Sequence, residues 1–213
     1  MFGIPRILLV DDHPIFRSGM RTLIERDGAT VVEEAATTSD AIKIAERVQL
    51  GAATVDVLLP DAGGPALVRR LRAIQPECSI LGLSVLEDPL RAAEMLRAGA
   101  QGYALKTQPP AEIVGALHTI LGGVRYLAPQ LSEARVHHLV TAVTDLLQRL
   151  TIRERRVFDL LVRGNSNKAI AAKLDIGVST VETHRRQIMH KLEAVSIVDL
   201  VHIALRYGEL DLA

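Results

Sequence analysis

Between residues 7 and 121, short apolar runs alternate with helical patterns five times over, and few folds accommodate that rhythm. The runs Ile7–Val10, Thr30–Val32, Ala53–Val57, Ile80–Ser84 and Gly102–Leu105 predict strands. The stretches Ile15–Arg26, Asp40–Val48, Pro65–Ile74, Pro89–Ala98 and Pro110–Leu121 predict helices. Pro65, Pro89 and Pro110 stand at or near helix starts, where a missing N–H costs little. Strands separated by helices run parallel, because the chain crosses back over a sheet face each time. The expectation is an α/β domain whose five-stranded parallel sheet is covered on both faces. Its third strand is the least well marked, since Gly51-Ala52-Ala53-Thr54 lacks bulky β-formers.

The rhythm ends at Gly122-Gly123, and a helical stretch from about Leu131 to Leu147 leads into a region of different character. Net charge over the whole chain is zero, but from Arg149 to Glu193 ten Lys and Arg face five Asp and Glu. Residues 1–148 carry 14 against 17. An acidic front and a basic back fit two domains with different partners. Thr151-Ile152-Arg153-Glu154 is a capping-box pattern that opens a helix carrying Val157, Leu160 and Leu161 on its apolar side.

The segment Gly164–Leu192 then reads as two short helices joined by a tight turn. At about 100° per residue, Val181, His184, Ile188 and Leu192 share one side of the second helix. Glu182, Thr183, Arg186, Met189 and His190 fall opposite, with Arg185 and Lys191 on the edges. An apolar back, a polar reading face and cationic flanks suit a helix lying in a groove of double-stranded DNA. In this arrangement Lys168, Thr180, Arg185 and Lys191 are candidate phosphate contacts, and the polar face that includes Glu182, Thr183 and Arg186 is the candidate base-reading surface. The last helix, from about Ser196 to Tyr207, is apolar on more than one side. Ile197, Leu200, Val201 and Ala204 can cover the domain core, which leaves Val198, His202 and Leu205 for a homodimer interface.

Cys78 is the only cysteine, which excludes an intrachain disulfide and a cysteine-rich metal site. No apolar window approaches membrane-spanning length, so a cytoplasmic protein without membrane association is expected. The chemistry gathers instead at the carboxyl ends of the predicted strands. Asp11 and Asp12 follow the first strand, and Asp56 lies at the end of the third. With strand order 2-1-3-4-5 the first and third strands are neighbours, so three carboxylates converge. Charges that close call for a counterion, and hard oxygen ligands with open positions suit Mg²⁺. Ser84 ends the fourth strand and Lys106 follows the fifth, both placed to meet an anion built on Asp56.

These residues carry a resemblance. The segments LLVDDHPIFRSGM, VDVLLPDAGG, LGLSVLED and GYALKT resemble the receiver domain of bacterial two-component response regulators. The stretch LTIRERRVFDLLVRGNSNKAIAAKLDIGVSTVETHRRQIMHKL resembles the LuxR-type helix-turn-helix, and together they resemble the NarL/FixJ family along nearly the whole chain. The resemblance implies a flavodoxin-like receiver over 1–122, a linker with a helix over 123–148, and an all-α helix-turn-helix domain over 149–213. It implies that Asp56 accepts a phosphoryl group, with Pro60 and Gly64 following at family spacing. Asp11, Asp12 and the Leu58 carbonyl would join Asp56 around Mg²⁺, Ser84 and Lys106 would hold the phosphoryl group, and Tyr103 would be the switching aromatic. The implied partners are a sensor histidine kinase, DNA, a second copy when active, and RNA polymerase as a further candidate. The implied function is a transcription regulator and not an enzyme; its alternative keeps the DNA module but uses the receiver as a phosphorylation-independent docking domain. A phosphatase with an aspartyl nucleophile fits poorly, because Leu58 stands where such enzymes carry a second aspartate.

Overall fold

A computed structural model of the chain describes residues 5–28 and 30–206, which divide into two compact units, Met1–His137 and His138–Ala213. The first unit is built on a parallel sheet. Its elements are β1 (Arg6–Val10), α1 (Pro14–Arg26), β2 (Thr30–Ala35), α2 (Thr38–Arg47), β3 (Ala52–Asp56), α3 (Gly64–Ile74), β4 (Ser79–Ser84), α4 (Pro89–Ala98), β5 (Gly102–Leu105), α5 (Pro110–Leu121) and β6 (Tyr126–Leu127). The strands lie in the order β2-β1-β3-β4-β5-β6 and every pair is parallel. Ile7–Val10 is buried throughout because β1 is paired on both edges and covered on both faces.

Two strands depart from expectation. The sheet has six strands and not five, because the chain turns at Gly122-Gly123 and returns alongside β5. There the Tyr126 N–H donates to the Gln101 carbonyl (3.2 Å) and the Ala128 N–H to the Tyr103 carbonyl (2.9 Å). A two-residue strand is too short for any period to reveal. Strand β2 runs on past Val32 through Glu33 and Glu34 to Ala35. As an edge strand it tolerates these acids, which accept from Arg47 (2.7 Å) and from Arg21 (2.6 Å) and Arg17 (3.1 Å) respectively.

Despite its small residues, β3 forms and is buried at every position. Its backbone is hydrogen-bonded on both edges, so ladder bonding and the covering helices supply what its side chains lack. A Cβ at Gly64 would overlap the Asp56 carbonyl oxygen and stand 2.8 Å from Val57 Cα. Helix α3 therefore starts against the end of β3, which holds the Asp56 loop short. One core cluster joins Ile7 and Leu9 of the sheet to Met20 and Ile24 of α1 and to Ile113, Leu117 and Ile120 of α5.

Helix α6 (Glu133–Gln148) carries the chain from the first unit into the second. There α7 (Ile152–Val162), α8 (Asn167–Leu174), α9 (Val178–Lys191) and α10 (Ile197–Arg206) surround a core that includes Val157, Phe158, Leu161, Ile170, Val181, Ile188 and Leu200. Both halves of the predicted capping box at Thr151 and Glu154 are made. Tyr207, the expected end of the last helix, and the side chain of Leu205 lie outside the described residues. No described helix is long and apolar enough to cross a membrane.

Candidate functional site

The register of β1 against β3 sets Val10 beside Val55, so the residues that follow emerge together at one end of the sheet. Asp11 leaves β1 and Asp56 closes β3, and both are buried. Lys106 leaves β5 and is tethered by its N–H to the Ser84 carbonyl (2.8 Å). Its ammonium then reaches both acids, 2.6 Å from Asp11 Oδ2 and 2.7 Å from Asp56 Oδ2, with only 7 % of the side chain exposed. The Phe16 ring lies 4.9 Å from the ammonium, adding a cation–π contact. On the other oxygen, Asp56 Oδ1 accepts from the Leu58 N–H at 3.1 Å.

Asp12 completes the set. Ligand atoms of Asp11, Asp12, His13 and Asp56 all lie within 4.8 Å of one another. His13 Nδ1 stands 2.6 Å from Asp12 Oδ1, and the His13 N–H donates to Asp11 Oδ1 at 2.9 Å. One lysine cannot neutralise three clustered carboxylates, two of them buried. Apart from these ion pairs, the buried oxygens Asp11 Oδ2 and Asp12 Oδ1 lack a hydrogen-bond partner. Carboxylate oxygens gathered this closely fit a hard divalent cation. His13 and Phe16 were not among the residues expected here, although both follow the Asp-Asp pair closely in the chain.

Ser84 is fully buried, and its Oγ accepts from the Leu86 N–H at 3.1 Å. Tyr103, paired across from Gly82, is also fully buried and donates its hydroxyl to the Leu86 carbonyl at 3.2 Å. Burial pushes the Tyr103 phenol above its ordinary range, partly offset by the Ser84 hydroxyl. Ser84 and Tyr103 thus grip one loop after β4 from two sides.

In the second unit, Ser166 caps α8 by accepting from the Ala169 N–H at 3.3 Å. Asp175 adopts the left-handed conformation that ends α8, and Gly177 stands at the N-cap of α9 without a capping side chain. Helix α9 turns Val181 and Ile188 into the core, while Glu182, Thr183, Arg186 and His190 are exposed. Lys168 and Thr180 are exposed as well, and Arg185 is half-buried. The Thr183 hydroxyl donates to the Ser179 carbonyl at 3.0 Å, which leaves its lone pairs as acceptors.

One expectation for this helix is corrected, and one candidate phosphate contact has a partner within the domain. Met189 packs against the core and does not join the reading face, its long side chain reaching back round the helix. Lys191 is turned inward, its ammonium 2.7 Å from Oε2 of the buried Glu154, which also accepts from the Thr151 N–H at 2.7 Å. Burial works against the charge on Glu154. Hydrogen bonds from Lys191 and Thr151 outweigh it and hold the carboxyl below the ordinary glutamate range.

A depressed carboxyl contributes stability above its unfolded pKa, and that contribution is lost as pH falls through the folded value. Lys191→Met should therefore cost about 1–3 kcal/mol near neutrality, where it leaves a buried carboxylate short of a partner. In thermal melts of the full chain, the gap between parent and variant narrows as the pH is lowered and Glu154 protonates. A gap constant with pH would rule out this pairing.

On α10, Leu200 and Ala204 are fully buried, and Ile197 and Val201 pack against the core with Ile203. Val198, at 58 %, and His202 remain exposed.

Comparisons with known proteins find a family match for each unit. Residues 7–118 match the response regulator receiver domain, and residues 148–204 match the bacterial regulatory proteins of the luxR family. The response regulator GacA of Pseudomonas protegens is 31% identical, over 97% of this chain and 98% of its own. The oxygen regulatory protein NreC of Staphylococcus carnosus is likewise 31% identical, over 97% of this chain and 99% of its own. A crystal structure of a LuxR-family two-component response regulator from Aurantimonas sp. is 34% identical, covering 67% of this chain and 99% of that one, with a TM-score of 0.58. RcsB from Salmonella enterica serovar Typhimurium bound to a promoter shares the fold, at 22% identity, 95% and 98% coverage and a TM-score of 0.55.

Proposed function

This chain belongs to the LuxR-type (NarL/FixJ) response regulators, DNA-binding regulators of transcription, and from that membership we propose how its own residues switch it. Asp56 accepts a phosphoryl group from a sensor histidine kinase. An Asp56 carboxylate oxygen attacks phosphorus, the bond from phosphorus to the donor imidazole nitrogen breaks, and that nitrogen keeps the electron pair. The contact that carries this reading is the Lys106 ammonium lying within 2.7 Å of both Asp11 and Asp56, a cation already in place for the charge that phosphorylation adds. Asp11, Asp12, Asp56 and the Leu58 carbonyl are the residues that hold Mg²⁺. Bound there, the ion supplies neutralising charge.

Once phosphorylated, Asp56 competes for Lys106 and for the Ser84 hydroxyl, which in the present arrangement accepts from Leu86. Drawing Ser84 away loosens the loop that Tyr103 also grips, and this biases a two-state equilibrium of the receiver. Residues 1–122 act as the receiver, 123–148 as the linker and 149–213 as the DNA-binding domain. Active molecules pair through Val198 and His202 of α10, so two copies of α9 meet two half-sites. RNA polymerase is a further partner at the promoter. The protein works in the cytoplasm and turns over no substrate of its own. Incubation with acetyl phosphate and Mg²⁺ tests the reading: one hydroxylamine-labile phosphoryl group should map to Asp56. An absence of labelling overturns it in favour of a docking-only receiver, and labelling elsewhere, or labelling indifferent to EDTA, overturns the assignment to Asp56 and Mg²⁺.

Within the DNA-binding domain, Arg186 donates to guanine, Thr183 and Glu182 read neighbouring base edges, and Lys168, Thr180 and Arg185 hold phosphates. Lys191, paired with Glu154 in the free chain, is the fourth candidate phosphate contact. Arg186→Ala should cost about 1–3 kcal/mol in discrimination between the preferred site and a single-base variant of it. Binding titrations on the two duplexes measure the difference; an equal loss on both would place Arg186 on the backbone.

A further inference from the structure

With Lys191 paired to Glu154, the α7-facing flank of α9 calls for a further source of positive charge to track a phosphate chain. The structure holds one. A hollow of about 320 Å³ opens between the first half of α9, the turn before it and α7, and its lining includes Arg153, Arg156, Val157, Asp175, Thr180 and His184. Val157 is buried and forms its floor, whereas Arg153, Arg156 and Thr180 are exposed at its rim. Neither Arg153 nor Arg156 makes a hydrogen bond or ion pair among the described residues. His184 Nδ1, on the hollow's wall, is buried without a hydrogen-bond partner. Asp175 brings the one carboxylate, set against two guanidinium groups.

The placement of this hollow identifies its ligand. Thr180 and His184 lie on α9 between its core face and its reading face, at the flank a groove-bound helix presents to a phosphate strand. Guanidinium groups recognise phosphate oxygens through paired N–H donors. We propose that this hollow seats a backbone phosphate of the bound duplex, held by Arg153 and Arg156 of α7 beside the Thr180 hydroxyl. Helix α7 then acts as a second contact element, fixing the register of α9 while carrying no base information. The inference rests on the second unit binding duplex DNA.

A charge that neutralises a phosphate releases counterions, so it shows in the salt dependence of binding and shows equally on every sequence. The test titrates the full chain onto two mixed-sequence duplexes of unrelated composition over a range of salt concentrations. For the Arg153→Gln/Arg156→Gln double variant, the slope of log K against log salt should become shallower by about one on both duplexes. Arg156→Lys should keep the parent slope. Should the double variant lose its cooperative melt, Arg156→Gln alone, at an exposed position, carries the same expectation. A slope identical to the parent's, or a loss confined to one duplex, overturns the phosphate seat. Failure of the parent itself to bind either duplex would instead overturn the DNA-binding reading beneath it.

Discussion

Asp56→Asn should leave a folded protein whose DNA affinity no longer responds to a phosphodonor. The amide lacks the carboxylate oxygen that attacks phosphorus, so the fold-increase in DNA binding produced by acetyl phosphate and Mg²⁺ falls to one. The basal affinity stays, because the DNA-contacting residues belong to the other unit. The variant should also melt no lower than the parent. In the parent, Asp11, Asp12 and Asp56 crowd one end of the sheet with Lys106 paired to Asp11 and Asp56, and removing one charge relieves that repulsion. Lys106 keeps Asp11. Binding titrations with and without phosphodonor, with a thermal melt beside them, check both halves. Undiminished stimulation in the variant would sink the phospho-switch.

Phe158→Ala should produce the opposite dissociation. The ring is fully buried in the core of the second unit, in the cluster that takes in Val181 and Ile188 of α9 and Leu200 of α10. Truncating a buried phenylalanine costs about 3–5 kcal/mol, from lost transfer energy and from the cavity left behind. A unit of this size holds only about 0.05–0.15 kcal/mol per residue in all, so the loss takes most of its stability. DNA binding should collapse, since the apolar face of α9 packs into the same cluster that the ring fills. Phosphoryl uptake at Asp56 should persist at the parent rate, because the sheet and its covering helices form a separate core. Denaturant melts followed by circular dichroism should then show one early and one parent-like transition. A single concerted transition would mean that the two units do not fold independently.

Much of the acidic pocket was legible before any coordinates. Asp11, Asp56, Ser84 and Lys106 sit at strand ends, and parallel strands deliver their carboxyl ends to one side of a sheet. What escaped notice there was His13 beside Asp12 and Phe16 beneath Lys106, because a local sequence does not say which neighbours fold over a buried charge. Strand β6 escaped for a different reason. Two residues carry no period, and their pairing is made by backbone groups, which every sequence has.

On the DNA side, helical periodicity placed Val181 and Ile188 inward and Arg186 outward correctly. It did not reveal the partner of Lys191, since an edge position leaves a long side chain free to turn either way. The buried carboxylate of Glu154 took the ammonium, and Glu154 lies 37 residues away in the chain. Arg153 and Arg156 were passed over on the same ground: they belong to α7, and only packing brings them beside Thr180.

By itself the sequence determined what depends on periodicity and on residues near in the chain. That includes the βα alternation, the helix caps, the apolar stripe of α9 and the placing of reactive groups at strand ends. Tertiary structure alone decided which charge meets which. Lys106 bridges Asp11 and Asp56, Lys191 is spent on Glu154, and two arginines of α7 are left facing the flank of α9. Periodicity is a property of one element, whereas the partner of a charged side chain is set by distances between elements. Those distances exist only once the cores have closed.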